Sequence, residues 1–354
     1  MTARSGLGPG LGIASAALFG ASTPLAKRLL ADVDPWLLAG VLYLGSGIGL
    51  ALLRAAVRLA AAGRWREAAL GRAGAGWLAL AIGFGGVLAP VLLMCGLART
   101  SASAASLLLT LEAVFTAVLA WFVFGENVDG RIAVGMAAIT AGALVLGWTA
   151  TPTMETLAGP ALIAGACLAW AIDNNLTRKV ALADPVHIAL VKGCVAGAIN
   201  VGLALRLGAA WPAPGAVAGA ALVGFVGYGV SLVLFVRALR LVGTARTGAY
   251  FSLAPFFGAA AAMSLLAEPP TLRLGVAGGL MGLGVWLHLT ERHEHGHEHA
   301  ELAHEHRHVH DEHHRHRHEA GVPSGEPHTH RHTHARLGHK HPHFPDAHHH
   351  HHHE

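Results

Sequence analysis

Between Leu11 and Leu289 the chain is one apolar run after another, and this excludes most folds before any motif is read. A helix needs about 20 apolar residues to cross about 30 Å of hydrocarbon at about 1.5 Å per residue. Ten runs meet that need, near 10–30, 36–57, 75–97, 102–124, 131–149, 157–177, 185–207, 215–239, 245–266 and 272–290. Most connections are very short, and the longest, from Arg54 to Ala75, holds Arg54, Arg58, Arg64, Arg66 and Arg72. Charged residues make up 13% of the chain, about half of what a soluble domain carries. The chain therefore reads as an all-α membrane protein of ten transmembrane helices.

The cationic residues set the expected orientation. If the N-terminus is cytoplasmic, the inner side holds Arg4, the five arginines just named, Arg131, Arg178, Lys179, Arg237, Arg240 and Arg246. The outer side then holds only Lys27, Arg28, Arg99, Arg206 and Arg273. Short loops rich in Lys and Arg stay inside, so both termini are expected in the cytoplasm and the protein in the inner, plasma membrane. The same arginines account for the basic balance, and no nucleic-acid motif accompanies them. Cys95, Cys167 and Cys194 lie inside apolar runs without a C-x-x-C spacing, and read as small packing residues.

The two halves of the apolar region repeat each other. LFGASTPLAKRLLADVDP, from Leu18 to Pro35, faces LAWAIDNNLTRKVALADP, from Leu168 to Pro185, so that Asp34-Pro35 matches Asp184-Pro185. Gly83-Phe84 matches Gly224-Phe225. LEAVFTAVLAWFVFGE ends at Glu126, and LAPFFGAAAAMSLLAE ends at Glu268. The unit is five spans, in residues 1–149 and again in 150–290. An odd number of spans inverts the second copy, the arrangement expected of secondary transporters with a midplane site. The repeat also makes span 1 the partner of span 6, which argues against reading Arg4 and its apolar run as a cleaved signal.

The two-fold five-span repeat, with LLLTLEAVFTAVLAWFVFGE in the first copy and SLAPFFGAAAAMSLLAE in the second, resembles the drug/metabolite transporter superfamily in its EamA-type branch. The resemblance covers about residues 10–290 and implies ten helices, cytoplasmic termini, a cavity between the halves, and export or uptake of small molecules. It names no substrate and does not include the tail.

An ionisable group deep in a span costs roughly 2.5–3.5 kcal/mol on insertion scales, so each one needs a reason. Glu112 lies near the middle of span 4 with no Lys or Arg within two helical turns. Two readings stay open: it faces the cavity and binds protons or a cationic group, or it is a buried hydrogen-bonding residue between helices. Asp173, Asn174 and Asn175 stand together in span 6, where each needs a partner inside lipid. They point in different directions around the helix, and at least one is expected to meet the cavity. The matching stretch of span 1, Ser22-Thr23-Pro24, is also polar. Alternatively, Asp173 neutralises Arg178 or Lys179. Lys192 follows the tight turn at Asp184-Pro185 at the depth of Asp173, which predicts an Asp173–Lys192 pair. Candidate substrate or coupling residues are thus Glu112, Asp173, Asn174, Asn175, Lys192, Ser22 and Thr23.

Pro90 and Pro255 predict kinks in spans 3 and 9. Gly45/Gly49, Gly193/Gly197, Gly275/Gly279 and Gly278/Gly282 permit close helix contact, with internal packing as the default and self-association, as monomer or homodimer, left open. Trp121, Trp148, Trp211 and Trp286 sit near span ends, as interface anchors do.

After Glu291 the composition inverts. Histidines run as His293, His295, His297, His299, His304, His306, His308 and His310, and on to His348–His353, interleaved with acids. Residues 291–354 cannot bury a core and are expected to be a disordered cytoplasmic tail. Alternating imidazoles bind divalent nickel, cobalt, zinc or copper with little selectivity. The tail is read as a handler of a metal the spans export, as an unrelated metal-binding appendage, or as low-complexity drift; His348–His353 also resemble a purification tag. No cofactor is required.

Function follows from this distribution. The leading expectation is a secondary transporter of a small molecule or metabolite, working by alternating access between the repeats, with export favoured. The alternative is a transition-metal efflux or metal-handling membrane protein that uses the tail. No G-x-x-x-x-G-K-[ST] loop is present, so ATP is not the direct energy source. No nucleophile–base constellation appears among the few polar residues, so an enzyme is not expected.

Overall fold

The computed structural model describes residues 7–60, 72–124, 130–148, 153–177, 184–242, 244–290, 294–299, 302–308, 328–334 and 337–342. Within the apolar region every described segment winds as a helix. Spans 1 and 2 are α1 (Leu7–Leu29) and α2 (Pro35–Ala60). Span 3 joins α3 (Arg72–Ala81) to α4 (Ala89–Ala98) through a π-helical stretch, Ile82–Leu88. Span 4 is two half-helices, α5 (Ala102–Leu108) and α6 (Leu111–Phe124), and span 5 is α7 (Gly130–Gly147). The second copy repeats the plan. Spans 6 and 7 are α8 (Met154–Thr177) and α9 (Pro185–Arg206). Span 8 joins α10 (Pro214–Gly224) to α11 (Ser231–Val242) through a second π-helical stretch, Phe225–Val230. Span 9 is again divided, into α12 (Thr244–Phe251) and α13 (Ala254–Leu265), and span 10 is α14 (Leu272–Leu289).

Among the described residues nine segments are long and apolar enough to cross a membrane, against the ten expected. Span 1 is the one outside that count. It is a 23-residue helix packed on α11, α12 and α13, but Gly8, Pro9, Gly10, Gly12, Ser22, Thr23 and Pro24 dilute its hydropathy. The bundle wears its apolar side chains outward. Leu59, Phe122 and Leu272 are more than two-thirds exposed, as lipid-facing residues are. Trp121, Trp148, Trp211 and Trp286 are all exposed, in keeping with interface anchoring.

The glycine pairs divide into contacts and open positions. Spans 2 and 7 meet backbone to backbone, and a Cβ added to Gly193 would lie 2.8 Å from Gly47 Cα. One added to Gly197 would lie 2.6 Å from Leu44 N. Gly45 and Gly49 turn instead to span 8, at Ala221 and Phe225. Gly275 and Gly279 face open space, so that pair makes no internal contact.

Beyond the bundle four short strands are described, β1 (Glu294–His299), β2 (Leu302–His308), β3 (His328–His334) and β4 (Leu337–Pro342). β1 pairs with β4, and β2 with β3, both antiparallel. The composition predicts no fixed structure for this tract. What it does supply is alternation of histidine with other residues, which is the strand period. Isolated two-stranded ladders are marginal in water, so the pairing and the lack of a core-forming composition are compatible.

The span 2–span 7 contact makes a prediction. A Cβ on Gly47 alone would meet Cys194 N at 2.5 Å and Cys194 Sγ at 2.7 Å. Gly47→Leu is expected to lower stability by about 3 kcal/mol or more through overpacking. Gly76→Ala, where an added Cβ meets no neighbouring element within 4 Å, is expected to keep stability or raise it by up to about 1 kcal/mol. Unfolding midpoints of the purified variants in detergent distinguish the two.

Candidate functional site

The irregular stretches of spans 3, 4, 8 and 9 build the site. Pro90 has no N–H to give to the carbonyl of Gly86, and the helix before it widens so that Ala89 N–H reaches Phe84 O, five residues back. Three carbonyls of the stretch accept from side chains. The Gly85 carbonyl accepts from Tyr43 Oη–H at 2.9 Å and from Trp170 Nε1–H at 3.0 Å. Asn200 Nδ2 lies 3.3 Å from both Gly86 O and Val87 O. The expected Pro90 kink is thus a π-helical stretch braced from spans 2, 6 and 7. The counterpart in span 8 has no proline, and Ser231 N–H reaches Val226 O directly.

Spans 4 and 9 break at the same place in the repeat, where an offset of 142 aligns Glu126 with Glu268. Leu109, Thr110, Glu112 and Ala113 each donate to a carbonyl three residues back, at 3.0–3.2 Å, rather than four. The Thr110 hydroxyl donates to Leu107 O at 2.8 Å. The Ser252 hydroxyl, at the matching position, donates to Ala249 O at 2.8 Å. A short hydroxyl that bonds its own preceding turn competes with regular α-winding and bends the helix. Pro255, the second residue of α13, completes the break in span 9. Neither a glycine nor a proline marks the break in span 4, and Thr110 is its one signal in the sequence.

The break puts Glu112 in the first turn of α6, at mid-span. Its Oε1 accepts from Asn174 Nδ2 at 2.7 Å. Asn174 is exposed and Glu112 partly so, at a depth where an exposed carboxylate facing lipid is costly. Asp173 and Lys192 form the ion pair expected from the turn between their helices. Thr177 Oγ1 donates to the second Asp173 oxygen at 3.1 Å. Asn175 is buried and donates to Ala171 O of its own helix at 2.9 Å, which accounts for it structurally. The three polar residues of span 6 thus diverge: one to Lys192, one to Glu112, one to its own backbone. Arg178 and Lys179, the other expected partners of Asp173, lie outside the described residues.

Ser22 and Asp173 make parallel contacts in the two halves. Asp173 packs on Gly85 in the π-helical stretch of span 3, where a Cβ would collide with its carboxylate. Ser22 packs on Gly227 in that of span 8, where a Cβ would lie 2.6 Å from Ser22 Cβ. Ser22 donates to Phe19 O at 2.6 Å. Thr23 is buried beside it. Tyr43 and Tyr228 pack with tilted rings at 5.8 Å between centroids, and the contact continues through Phe19 to Phe251, an aromatic run that joins both copies.

No group of three or more His, Cys, Asp or Glu among the described residues could hold a metal ion. His293 and His310 lie outside the described residues. For His295, His297, His299, His304, His306 and His308 only the strand backbone is described.

Two copies, each with one interrupted and one broken helix, build a polytopic helical membrane protein. Comparison with known proteins agrees. The EamA-like transporter family model matches residues 6–148 and again 157–290, and the chain belongs to that family. An uncharacterized transporter of Methanothermobacter thermautotrophicus is 29% identical over 288 residues, covering 78% of this chain and 84% of its own. A protein of known crystal structure shares the fold, with a TM-score of 0.57 at 17% identity, over 79% of this chain and 95% of its own.

The ion pair predicts a stability effect. Side chains of Asp173 and Lys192 are 5% and 18% exposed, so removing one partner strands a buried charge. Lys192→Ala is expected to cost about 3–5 kcal/mol. The double variant Asp173→Asn with Lys192→Met is expected to recover part of that loss, as read from unfolding midpoints in detergent.

Proposed function

We propose that this chain is a secondary transporter that moves a small molecule, by alternating access, through the crevice between its two five-span copies, and that Glu112 carries the coupling. The observation that bears most weight is the charge balance at mid-membrane. Asp173 is matched by Lys192, whereas the partner of Glu112 is the neutral amide of Asn174. A carboxylate so placed needs a compensating positive charge in each state of a transport cycle, a proton in one and a proton or a cationic group of the cargo in the other. The broken helix beside it supports the reading, because interrupted spans at matching places in two inverted copies mark the binding site of many transporters.

Orientation with both termini in the cytoplasm of the inner membrane rests on the excess of Lys and Arg in alternate loops. The structure's contacts fit alternation without fixing which side is inner. Arg54 near the end of span 2 pairs with Asp184 before span 7 at 2.8 Å, and Arg273 at the start of span 10 donates to Val145 O and Leu146 O at the end of span 5. Export is the favoured direction. Metal handling rests on the tail alone, and no described group supports it.

Host cells with and without the chain, screened for tolerance to organic compounds and to nickel, cobalt, zinc and copper salts, test the proposal. A tolerance gained from the wild-type chain should vanish in Glu112→Gln at equal membrane abundance. Proton release from dye-loaded proteoliposomes on addition of the compound should vanish with it. Wild-type behaviour of Glu112→Gln would remove Glu112 from the mechanism. Removing residues 293–354 should leave organic tolerance intact, and metal tolerance that is unchanged by the full chain would set the metal reading aside.

A further inference from the structure

The turn between spans 3 and 4 is held from both sides by charged residues that the site described above does not use. Lys27, at the end of span 1, donates from Nζ to Leu97 O at 2.6 Å and to Ala98 O at 3.3 Å. These are among the last carbonyls of α4. Glu268, just past span 9, accepts from Ala102 N–H at 2.7 Å and from Ser103 N–H at 2.8 Å. These are the first two amides of α5. A cation thus sits on the negative end of one helix dipole and an anion on the positive end of the next, each satisfying backbone groups the helices leave open. The two residues come from different copies of the repeat.

Glu268 reaches that position through an unusual backbone. Ala267, which directly precedes it, has φ +53°, a left-handed conformation that glycine normally supplies. The turn redirects the chain after α13, and Pro269 and Pro270 follow at once. Strained backbone of this kind persists where surrounding contacts hold it, and here the contact held in place is the carboxylate on α5.

What the clamp fixes is the shorter half of a broken helix. α5 ends at Leu108, and its link to α6 and Glu112 runs through bonds of three-residue reach alone. On the far side of that link lies Cys167 of span 6, fully buried, its Sγ 3.6 Å from Leu108 O. We propose that Lys27 and Glu268 act as positioning residues, closing this end of the bundle over Glu112 by holding α5, and that access to Glu112 from this end requires the clamp to open. The assignment goes beyond the identity of the cargo; its link to Glu112 rests on the proposed function, whereas the hold on α5 is tested by itself.

Cys167 is a native reporter of α5. The purified chain in lipid nanodiscs, both faces open to solvent, is treated with a charged methanethiosulfonate, and the labelling rate of each cysteine is read by mass spectrometry. In the wild type Cys167 is expected to react slowly. Glu268→Gln and Lys27→Gln should each raise its rate at least tenfold, with the rates of Cys95 and Cys194 within twofold of wild type. Glu268→Asp should restore much of the protection. A Cys167 rate that stays within twofold of wild type in both Gln variants overturns the clamp. Equal acceleration of all three cysteines in both overturns it as well, because it reports loss of the fold instead of movement of α5. If Glu268→Gln does not fold, Lys27→Gln alone decides by the same two criteria.

Discussion

Hydrocarbon offers no partner to a backbone N–H or C=O, and this constraint governs every irregular feature of the bundle. Spans 3, 4, 8 and 9 depart from regular winding, and in spans 3, 4 and 9 side chains donate to carbonyls at the departure. Tyr43, Trp170 and Asn200 serve the carbonyls of the π-helical stretch in span 3. Thr110 and Ser252 serve their own helices at the two breaks. The polar residues of an otherwise apolar chain are therefore spent in two ways, on backbone repair and on the charged centre. Asn200 and Asn175 belong to the first group, Glu112, Asp173 and Lys192 to the second.

Close packing around the charged centre depends on glycine at matched points. Asp173 fits against span 3 because Gly85 has no side chain, and Ser22 fits against span 8 because Gly227 has none. The same π-helical stretches that free carbonyls bring these glycines to the facing helix. Backbone irregularity and side-chain placement are in this way one device, present twice by the repeat.

Helices, their number and their duplication were legible because hydropathy and internal similarity are properties of long segments. The Asp173–Lys192 pair was legible because a tight turn at Asp184-Pro185 fixes the depth of two residues on neighbouring helices. Span 1 passed as an ordinary span, although its glycines and prolines make it the least apolar of the ten, since the repeat rather than its hydropathy identified it. The partner of Glu112 was not legible, because Asn174 lies 62 residues away on a helix whose rotation no local pattern sets. Glu268 was seen only as the end of a repeated segment. Its contacts with Ala102 and Ser103 span 166 and 165 residues and depend on one left-handed alanine. The π-helical stretch of span 8 carries no proline to announce it.

Symmetry in this chain is a property of the backbone, and the chemistry breaks it. Glu112 aligns with Ala254 in the second copy at the offset that matches the two helix breaks. Asp173 aligns with Thr23 and Lys192 with Leu42 at the offset that matches Asp34-Pro35 with Asp184-Pro185. A bundle whose two halves were chemically identical would present the same groups to both sides of the membrane. One carboxylate on span 4 and one ion pair between spans 6 and 7 therefore have no charged counterpart at the aligned positions of the other copy, while the interrupted helices around them recur in both.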